Sequence, residues 1–425
     1  MKPRFRWHIV RVFFAMSVVL YVDRINIAIA APALASGFHL SAIEMGRVLS
    51  AFLFGYAIGL IPGGYLADRI GPYRLLVFAG FSWAAVTLLT GAIPGQHSID
   101  RSMAVAILVL ARFVLGLCEA CAYPTFNRAL ANWMPADERA RASGWIHCGA
   151  GVGGAVTPLF IAFIILHFGW RTNFIASGLL TVAVSWWWWQ TGADEPARHA
   201  RVTPAELTLI RAGRQPGDNR LPKRDWYRRA VRSPEVWLLC GSELFFGVAQ
   251  FVYVTWFYTY FASTRKVEAM AAAGLSSLPY VAIAVGAPLG GVLCDLSVRR
   301  FGSPWGRRLV PLAALALSGA SAMVAPTFAN NTLAAATFAV AAGFQYMASS
   351  AYWSTLIDIS RQGTGVLGGL MNGSVYLGSA VATWQFPVVA QSLGYAAALR
   401  LAGVAALCSA TVWFWIRSAR QIDLE

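Results

Sequence analysis

The chain has 425 residues, of which 57% are hydrophobic and only 12% are charged, and its formal net charge is +15. A soluble globular protein carries about 25% charged residues, so this composition argues against a soluble domain and indicates lipid as the solvent. The basic balance alone would suit a nucleic-acid-binding protein, but the positions of the basic residues exclude that interpretation.

Long uncharged runs predict membrane-spanning helices. No charged residue occurs between Arg47 and Asp68, and the uncharged run from Arg308 to Asp358 is long enough for two crossings. A crossing needs about 20 apolar residues in a helix, and lipid tolerates only helices or closed barrels. The sequence therefore predicts twelve spans, near residues 8–31, 47–67, 75–93, 103–131, 143–167, 172–190, 234–262, 272–294, 309–327, 332–356, 366–390 and 396–416.

The longest polar stretch divides these spans into two groups of six. We predict an N-terminal six-helix bundle over residues 1–190, a cytoplasmic linker over residues 191–233, and a C-terminal six-helix bundle over residues 234–425. Within the linker, Thr203 followed by Pro204 predicts the start of a short interfacial helix, because Thr caps helices and Pro suits their first turn.

The basic residues predict the orientation of the chain. When connections are assigned alternately to the two sides, 24 of the 34 Lys and Arg residues fall on the side that carries both termini, and six fall on the other side. Positive residues are retained in the cytoplasm. We therefore expect a multi-pass protein of the bacterial inner membrane with both termini cytoplasmic, in contact with membrane lipid, monomeric, and without a nucleic-acid partner.

An internal repeat follows the second and the eighth spans. The first copy contains Gly64, Asp68 and Arg69, and the second contains Asp295 and Arg307. The first copy resembles the signature loop of the major facilitator superfamily, in which an acid pairs with Arg and a helix end to favour one state of a gate. The resemblance implies a gating role for these five residues.

Further motifs occur in matching order along nearly the whole chain. They include Tyr21 to Ala28 in the first span, Arg112 to Glu119 in the fourth, Gly169-Trp170-Arg171, and Gly365 to Asn372. This set resembles the anion:cation symporter family, which includes sugar-acid symporters and vesicular and lysosomal organic-anion carriers. The resemblance implies an all-α fold of twelve helices in two pseudo-symmetric six-helix bundles, and proton-coupled transport of a small organic anion.

Among the ionisable residues inside the predicted spans, four are the main candidates for the transport mechanism: Asp23, Arg24, Arg112 and Glu119. A charge in the bilayer centre costs about 2.5–3.5 kcal/mol or more, so such residues face cavities and have partners. Arg112 and Glu119 are seven residues apart and share a helix face. Arg24 shares a face with Tyr21, three residues earlier, whereas Asp23 is expected to face another helix.

The two kinds of charge suit two different roles, anion binding by the arginines and proton uptake by the acids. Arg24 and Arg112 offer planar forks that bind a carboxylate. In the family the matching acids carry the coupling proton, which implies that role for Asp23 and Glu119. The alternative is that these residues form static salt bridges between helices.

Neutral side chains in the spans provide further candidate substrate contacts, although core packing is an equal alternative for each. They are Tyr56, Tyr253, Trp256, Gln345, Tyr352, Trp353, Asn372 and Tyr376. In the fifth span, where sugar-acid carriers tend to have a polar amide, this chain has Ala150, with His147 one turn earlier. His147 is a substitute substrate contact, a second titrating site or a core histidine.

We therefore predict inward symport of an organic carboxylate with protons, energised by the proton gradient and without a cofactor. The alternative function is export or antiport of a metabolite, such as a carboxylate-type siderophore or a drug-like compound. An enzyme is not expected, because the six histidines are scattered without metal-ligand spacing or a nucleophile motif. We thus expect neither catalytic residues nor a metal.

Overall fold

The computed structural model describes residues 5–94, 99–211, 224–359 and 364–416. Within these ranges the regular structure is helical and contains no strand. The side that carries the two ends of the described chain is called the terminal end below, and the other side the distal end. Several basic residues that predicted the orientation, namely Lys2, Arg4, Arg361, Arg417 and Arg420, lie outside the described ranges.

Six long helices and one short one form the N-terminal half and the segment after it. Their bounds are α1 Phe5–Phe38, α2 Ala42–Ile70, α3 Pro72–Gly91, α4 Arg101–Ala120, α5 Ala122–Trp133, α6 Ala136–Thr191 and α7 Pro204–Arg211. α4 and α5 together occupy the predicted fourth span. α6 covers the fifth and sixth spans, because Gly169 interrupts it with φ 82° and ψ 164°. Glycine adopts this positive φ without the steric cost of a side chain.

The C-terminal half contains the remaining helices. They are α8 Arg224–Arg232, α9 Pro234–Phe251, α10 Phe257–Thr259, α11 Ala269–Phe301, α12 Ser303–Val324, α13 Asn331–Met347, α14 Ser349–Ile359, α15 Thr364–Leu393 and α16 Tyr395–Val412. Two wider π-helical turns, Val252–Trp256 and Tyr260–Thr264, flank α10 and continue the seventh span.

The twelve-helix prediction is confirmed. By length and composition, nine helices among the described residues are able to cross a membrane. One of them, Arg141–Thr191, provides two crossings because of the break at Gly169. The tenth predicted span corresponds to α13 with α14, and the eleventh to α15.

The two halves meet along two helix pairs. α2 packs on α15, where Gly46 faces Pro387, and α6 packs on α11, where Gly154 faces Tyr280. At the distal end one hydrophobic cluster includes residues of both halves, among them Leu34 and Phe257. At the terminal end each half has a cluster largely of its own. The halves thus share apolar packing at the distal end, whereas at the terminal end most of the apolar packing lies within each half.

The segment after α6 docks on the N-terminal half. Thr203 Oγ1 accepts a hydrogen bond from Glu206 N at 3.3 Å, so α7 begins at Pro204 with the expected cap. The Glu206 carboxylate is buried and accepts hydrogen bonds from the backbone N–H groups of Phe5 and Arg6 and from the Arg6 guanidinium. Residues 212–223 of the predicted linker lie outside the described chain.

Candidate functional site

A buried ion pair lies where α1 meets α4. Arg24 Nε donates to Glu119 Oε2 at 3.1 Å, and the two side chains are 7% and 0% exposed. Burial of either charge alone would be costly, so the pair keeps both ionised groups inside the protein. Arg24 Nη2 and Glu119 Oε1 have no partner among the described residues. The pair therefore retains hydrogen-bonding capacity that a ligand can use.

Aromatic side chains from both halves surround the Arg24 guanidinium. Arg24 Nη1 donates to the Tyr376 hydroxyl of α15 at 2.9 Å. The guanidinium carbon lies 4.4 Å from the ring centre of Tyr56 and 5.4 Å from that of Tyr21, within cation–π range. Asn372 is half-buried, one helical turn before Tyr376. Arg24 thus connects the N-terminal half to the C-terminal half.

Arg112 and Asp23 are neighbours but not a side-chain ion pair. Arg112 Nη1 donates to the backbone carbonyl of Asp23 at 3.2 Å, and its guanidinium carbon lies 4.7 Å from the ring centre of Phe52. The Asp23 carboxylate points instead toward α6, where it accepts a hydrogen bond from Thr181 Oγ1 at 2.8 Å. The adjacent residues Asp23 and Arg24 therefore face different surroundings.

His147 lies at the terminal end of α6 and is exposed. Its ring stacks on that of Tyr123, with centroids 5.4 Å apart and planes 5° apart. The Tyr123 hydroxyl forms a hydrogen bond with Ser17 Oγ at 2.7 Å. His147 is thus not enclosed in the core, although its aromatic partner is held in a fixed position.

Other predicted contact residues lie apart from Arg24. Tyr352 is fully buried in the C-terminal half and forms hydrogen bonds with Ser242 at 2.6 Å and Ser409 at 2.9 Å. Tyr253 belongs to the distal cluster. Trp353 is 43% exposed and packs near Gly368. The structure does not bring these three aromatic residues into contact with the buried ion pair.

The residues of the two repeated loops lie at the terminal end. Asp68 pairs with Arg128 at 3.3 Å, and Arg69 donates to the Tyr65 hydroxyl. Arg307 pairs at 2.9 Å with Asp358. Asp295 is exposed and forms no ion pair within the described chain, while Gly64 lies in α2 beside Pro124. Each loop therefore forms an ion pair with a helix of its own half. In the C-terminal half the acid that pairs with Arg307 is Asp358 of α14 and not the predicted Asp295.

One buried acid in a predicted span was not among the expected site residues. It is Glu243 of α9, which is 6% exposed. An acid inside the predicted span 234–262 was a sufficient signal to identify it. Thr181, the partner of Asp23, was not predicted either, because a hydroxyl in an apolar span has no distinctive sequence signal.

Comparisons with known proteins agree with the fold. Residues 13–383 match the family model of the Major Facilitator Superfamily. The chain is 35% identical to the Probable sulfoacetate transporter SauU of Cupriavidus necator, over 92% of this chain and 88% of that protein. It is 30% identical to the D-galactonate transporter of Escherichia coli O6:H1, over 96% and 95%, and 28% identical to the Probable galactarate/D-glucarate transporter GudP of Bacillus subtilis, over 87% and 82%.

Two solved structures have the same fold. A bacterial homolog of the human lysosomal transporter Spinster, in an inward-facing and unoccupied conformation, aligns with a TM-score of 0.77 at 18% identity, over 98% of this chain and 97% of that one. A D-xylose-proton symporter aligns with a TM-score of 0.73 at 16% identity, over 97% and 98%. At these identities the likeness concerns the fold alone.

Proposed function

The chain belongs to the Major Facilitator Superfamily, and on that premise we propose that it moves a small organic anion together with protons across the bacterial inner membrane. The observation that carries the proposal is the buried pair of Arg24 with Glu119, held between the two halves by Tyr376. The names of three relatives, which refer to sulfoacetate, galactonate and glucarate, support an organic anion as the substrate class.

The ion pair provides a physical reason for coupling. An anion that binds Arg24 competes with the Glu119 carboxylate for the same guanidinium. If Glu119 stayed ionised, the loaded site would hold an uncompensated buried charge, which costs about 3–5 kcal/mol. A proton taken from water onto Glu119 removes that charge and frees Arg24 Nε. Anion and proton therefore bind together and leave together.

The side chains around Arg24 and Glu119 would contribute to substrate binding in different ways. Arg112 supplies a second positive charge beside the site, while Tyr21, Tyr56 and Asn372 line it. His147 contacts substrate along the opening at the terminal end. Tyr253, Tyr352 and Trp353 lie farther from Arg24, and they contribute by supporting the helices around the site.

The arrangement in two halves supports transport by alternating access. Because apolar packing joins the halves at the distal end and lies largely within each half at the terminal end, we take this conformation to open at the terminal end. We assign that end to the cytoplasm because it carries most of the basic residues. Rocking of one half against the other would close this opening. The pairs Asp68–Arg128 and Arg307–Asp358 lie at the ends of the moving helices and favour one state of the gate.

Uptake by the purified protein in proteoliposomes tests the proposal. Labelled sulfoacetate and D-galactonate are offered as probes, with and without an imposed proton gradient, and internal pH is followed with a trapped dye. We expect uphill accumulation of at least one probe with simultaneous proton entry. Proton movement opposite to the probe would support the export or antiport alternative instead, and accumulation independent of pH would contradict proton coupling.

A further inference from the structure

A row of polar side chains runs along α6 inside the N-terminal half. Asn173, Ser177, Thr181 and Ser185 are spaced by four residues and are each 0% exposed. Residues four apart lie on one helix face, so the row extends about 18 Å along the helix. We call these four residues, with Asp23 of α1 and Thr87 of α3, the polar column. Such a buried polar row is unexpected in a helix that otherwise packs apolar side chains.

Hydrogen bonds connect the column to Asp23. Ser177 Oγ donates to Asn173 Oδ1 at 3.4 Å. Thr181 Oγ1 lies 2.9 Å from the Ser177 backbone carbonyl oxygen and 2.8 Å from Asp23 Oδ2, and its single proton serves one of these two acceptors at a time. The Thr87 hydroxyl lies close to the Asp23 carboxylate. Its oxygen nevertheless forms no hydrogen bond of normal geometry with Asp23 or with any other described residue. The column thus has Asp23 near its middle.

Polar atoms along the column lack protein partners. Asn173 Nδ2, Thr87 Oγ1, Ser185 Oγ and Asp23 Oδ1 make no hydrogen bond to the described part of the chain. Buried polar atoms are nearly always satisfied, and ordered water satisfies those that protein groups do not reach. Trp83 Nε1, on the same face of α3 as Thr87, is likewise unpartnered and is only a donor. A water oxygen accepts from it, whereas a metal cation does not.

The column leads toward the distal end. Asn173 is four residues, or about 6 Å, from Gly169, where the second crossing of α6 begins. Toward the terminal end the way past Ser185 is closed by Trp188, which is 0% exposed and packs on Phe13 at 4.9 Å. The Asp23 carboxylate is also 0% exposed, and it points toward Thr181 of α6 rather than toward Arg24 and Glu119.

We propose that the polar column is a proton path, filled by water, that reaches Asp23 from the distal side without passing through the substrate opening. This inference rests on the proposed proton coupling, in which Asp23 takes up a proton as well as Glu119, and it specifies the route to Asp23. Each hydroxyl or water along the path accepts one proton and releases another toward Asp23, whose carboxylate takes the last proton and becomes neutral. The path and the opening remain separate while the terminal end is open, because Asp23 lies between them.

The charges around Asp23 connect this path to the substrate site. Arg112 and Glu119 of α4 act electrostatically on Asp23, and Arg24 follows it in α1. From α3 and α6 the described groups nearest to its carboxylate are the hydroxyls of Thr87 and Thr181. Neutralisation of Asp23 therefore changes the net charge beside Arg112 without breaking an ion pair.

Infrared spectroscopy tests the path without a substrate. The protein in lipid is moved from H2O to D2O buffer at about pH 5, and the carboxyl band that Asp23→Asn removes is followed as its proton is exchanged. Thr181→Val and Asn173→Leu should each slow this exchange by about tenfold or more, which corresponds to one hydrogen bond lost from the path. Thr181→Ser, which keeps the hydroxyl, should restore the wild-type rate.

Thr125→Val is the matched control. Thr125 is 0% exposed and donates to the carbonyl of Cys121 in its own helix, so the control removes an equally buried hydroxyl outside the column. Wild-type exchange rates in both column variants would overturn the path, as would slowing by Na⁺, which would indicate a bound cation. Absence of any Asp23-dependent carboxyl band between about pH 4 and pH 8 would overturn it too. If the probes are not transported but the exchange rates change as expected, the proposed function is contradicted. The proton path to Asp23 is then still supported, because the infrared measurement needs no substrate.

Discussion

Arg24 of α1 donates hydrogen bonds to Glu119 of α4 at 3.1 Å and to Tyr376 of α15 at 2.9 Å, so one guanidinium holds an acid of its own half and a phenol of the other. A ligand that replaces Glu119 on Arg24 thereby changes both the charge of the site and the contact between the halves. The substrate site and the moving interface share this side chain.

Glu119→Gln should abolish proton-driven accumulation and leave exchange of labelled for unlabelled probe partly intact. The amide cannot take up the coupling proton, while Arg24 is permanently free for the anion. Uphill uptake and counterflow in proteoliposomes measure the two activities separately. Glu44→Gln, which alters an acid at the distal surface paired with Arg101, is the control and should keep both activities. Undiminished uphill uptake in Glu119→Gln would disprove the coupling role.

Arg24→Ala should weaken anion binding by about thirtyfold or more, since loss of one partner of a buried charge pair costs about 2–5 kcal/mol. Arg24→Lys should recover only part of the affinity, because an ammonium lacks the planar fork. Isothermal titration with the transported probe gives the dissociation constants. Arg11→Ala removes an exposed arginine of the same helix and should bind like wild type. Wild-type affinity in Arg24→Ala would place the anion elsewhere.

Gly247→Ala should lower the unfolding temperature, because a Cβ at this position of α9 would overlap the Val375 carbonyl oxygen of α15. Overpacking of this kind costs about 1–3 kcal/mol. Gly241→Ala, on the same helix, meets no atom within 4 Å and should be neutral or slightly stabilising, since Ala favours helix by about 1 kcal/mol over Gly. Thermal melts of the two variants in detergent compare them directly. Equal melting temperatures would contradict the close α9–α15 contact.

Glu268 should stabilise the start of α11 in a pH-dependent manner. The N–H groups of Met270 and Ala271 donate to its carboxylate and hold its pKa below the ordinary value. A carboxyl with a depressed pKa stabilises the fold above its unfolded pKa of about 4.3, and the stabilisation is lost as the pH falls through the folded pKa. Glu268→Gln should therefore melt below wild type at neutral pH and approach it in acid. A difference that does not change with pH would show that the charge of the carboxylate has no part in this cap.

Sequence alone determined the number of crossings, their approximate bounds and the repeated halves. The reason is that lipid imposes uninterrupted apolar helices of a known length. The break between the fifth and sixth spans occurs at a single residue, Gly169, whose missing side chain permits the required backbone conformation. Even the cap at Thr203 followed from local chemistry, since its hydrogen bond to Glu206 N spans only three residues. Ionisable residues within spans also signalled a buried site in advance.

Only the tertiary structure decided which of these residues meet. Arg24 and Glu119 are 95 residues apart, and Asp23 and Thr181 are 158 apart, so no sequence spacing predicts either contact. Packing likewise separated Tyr352, enclosed by Ser242 and Ser409, from Tyr376, which reaches Arg24. Both are tyrosines in apolar spans, and the side of the helix bundle that each one faces depends on how twelve helices pack together.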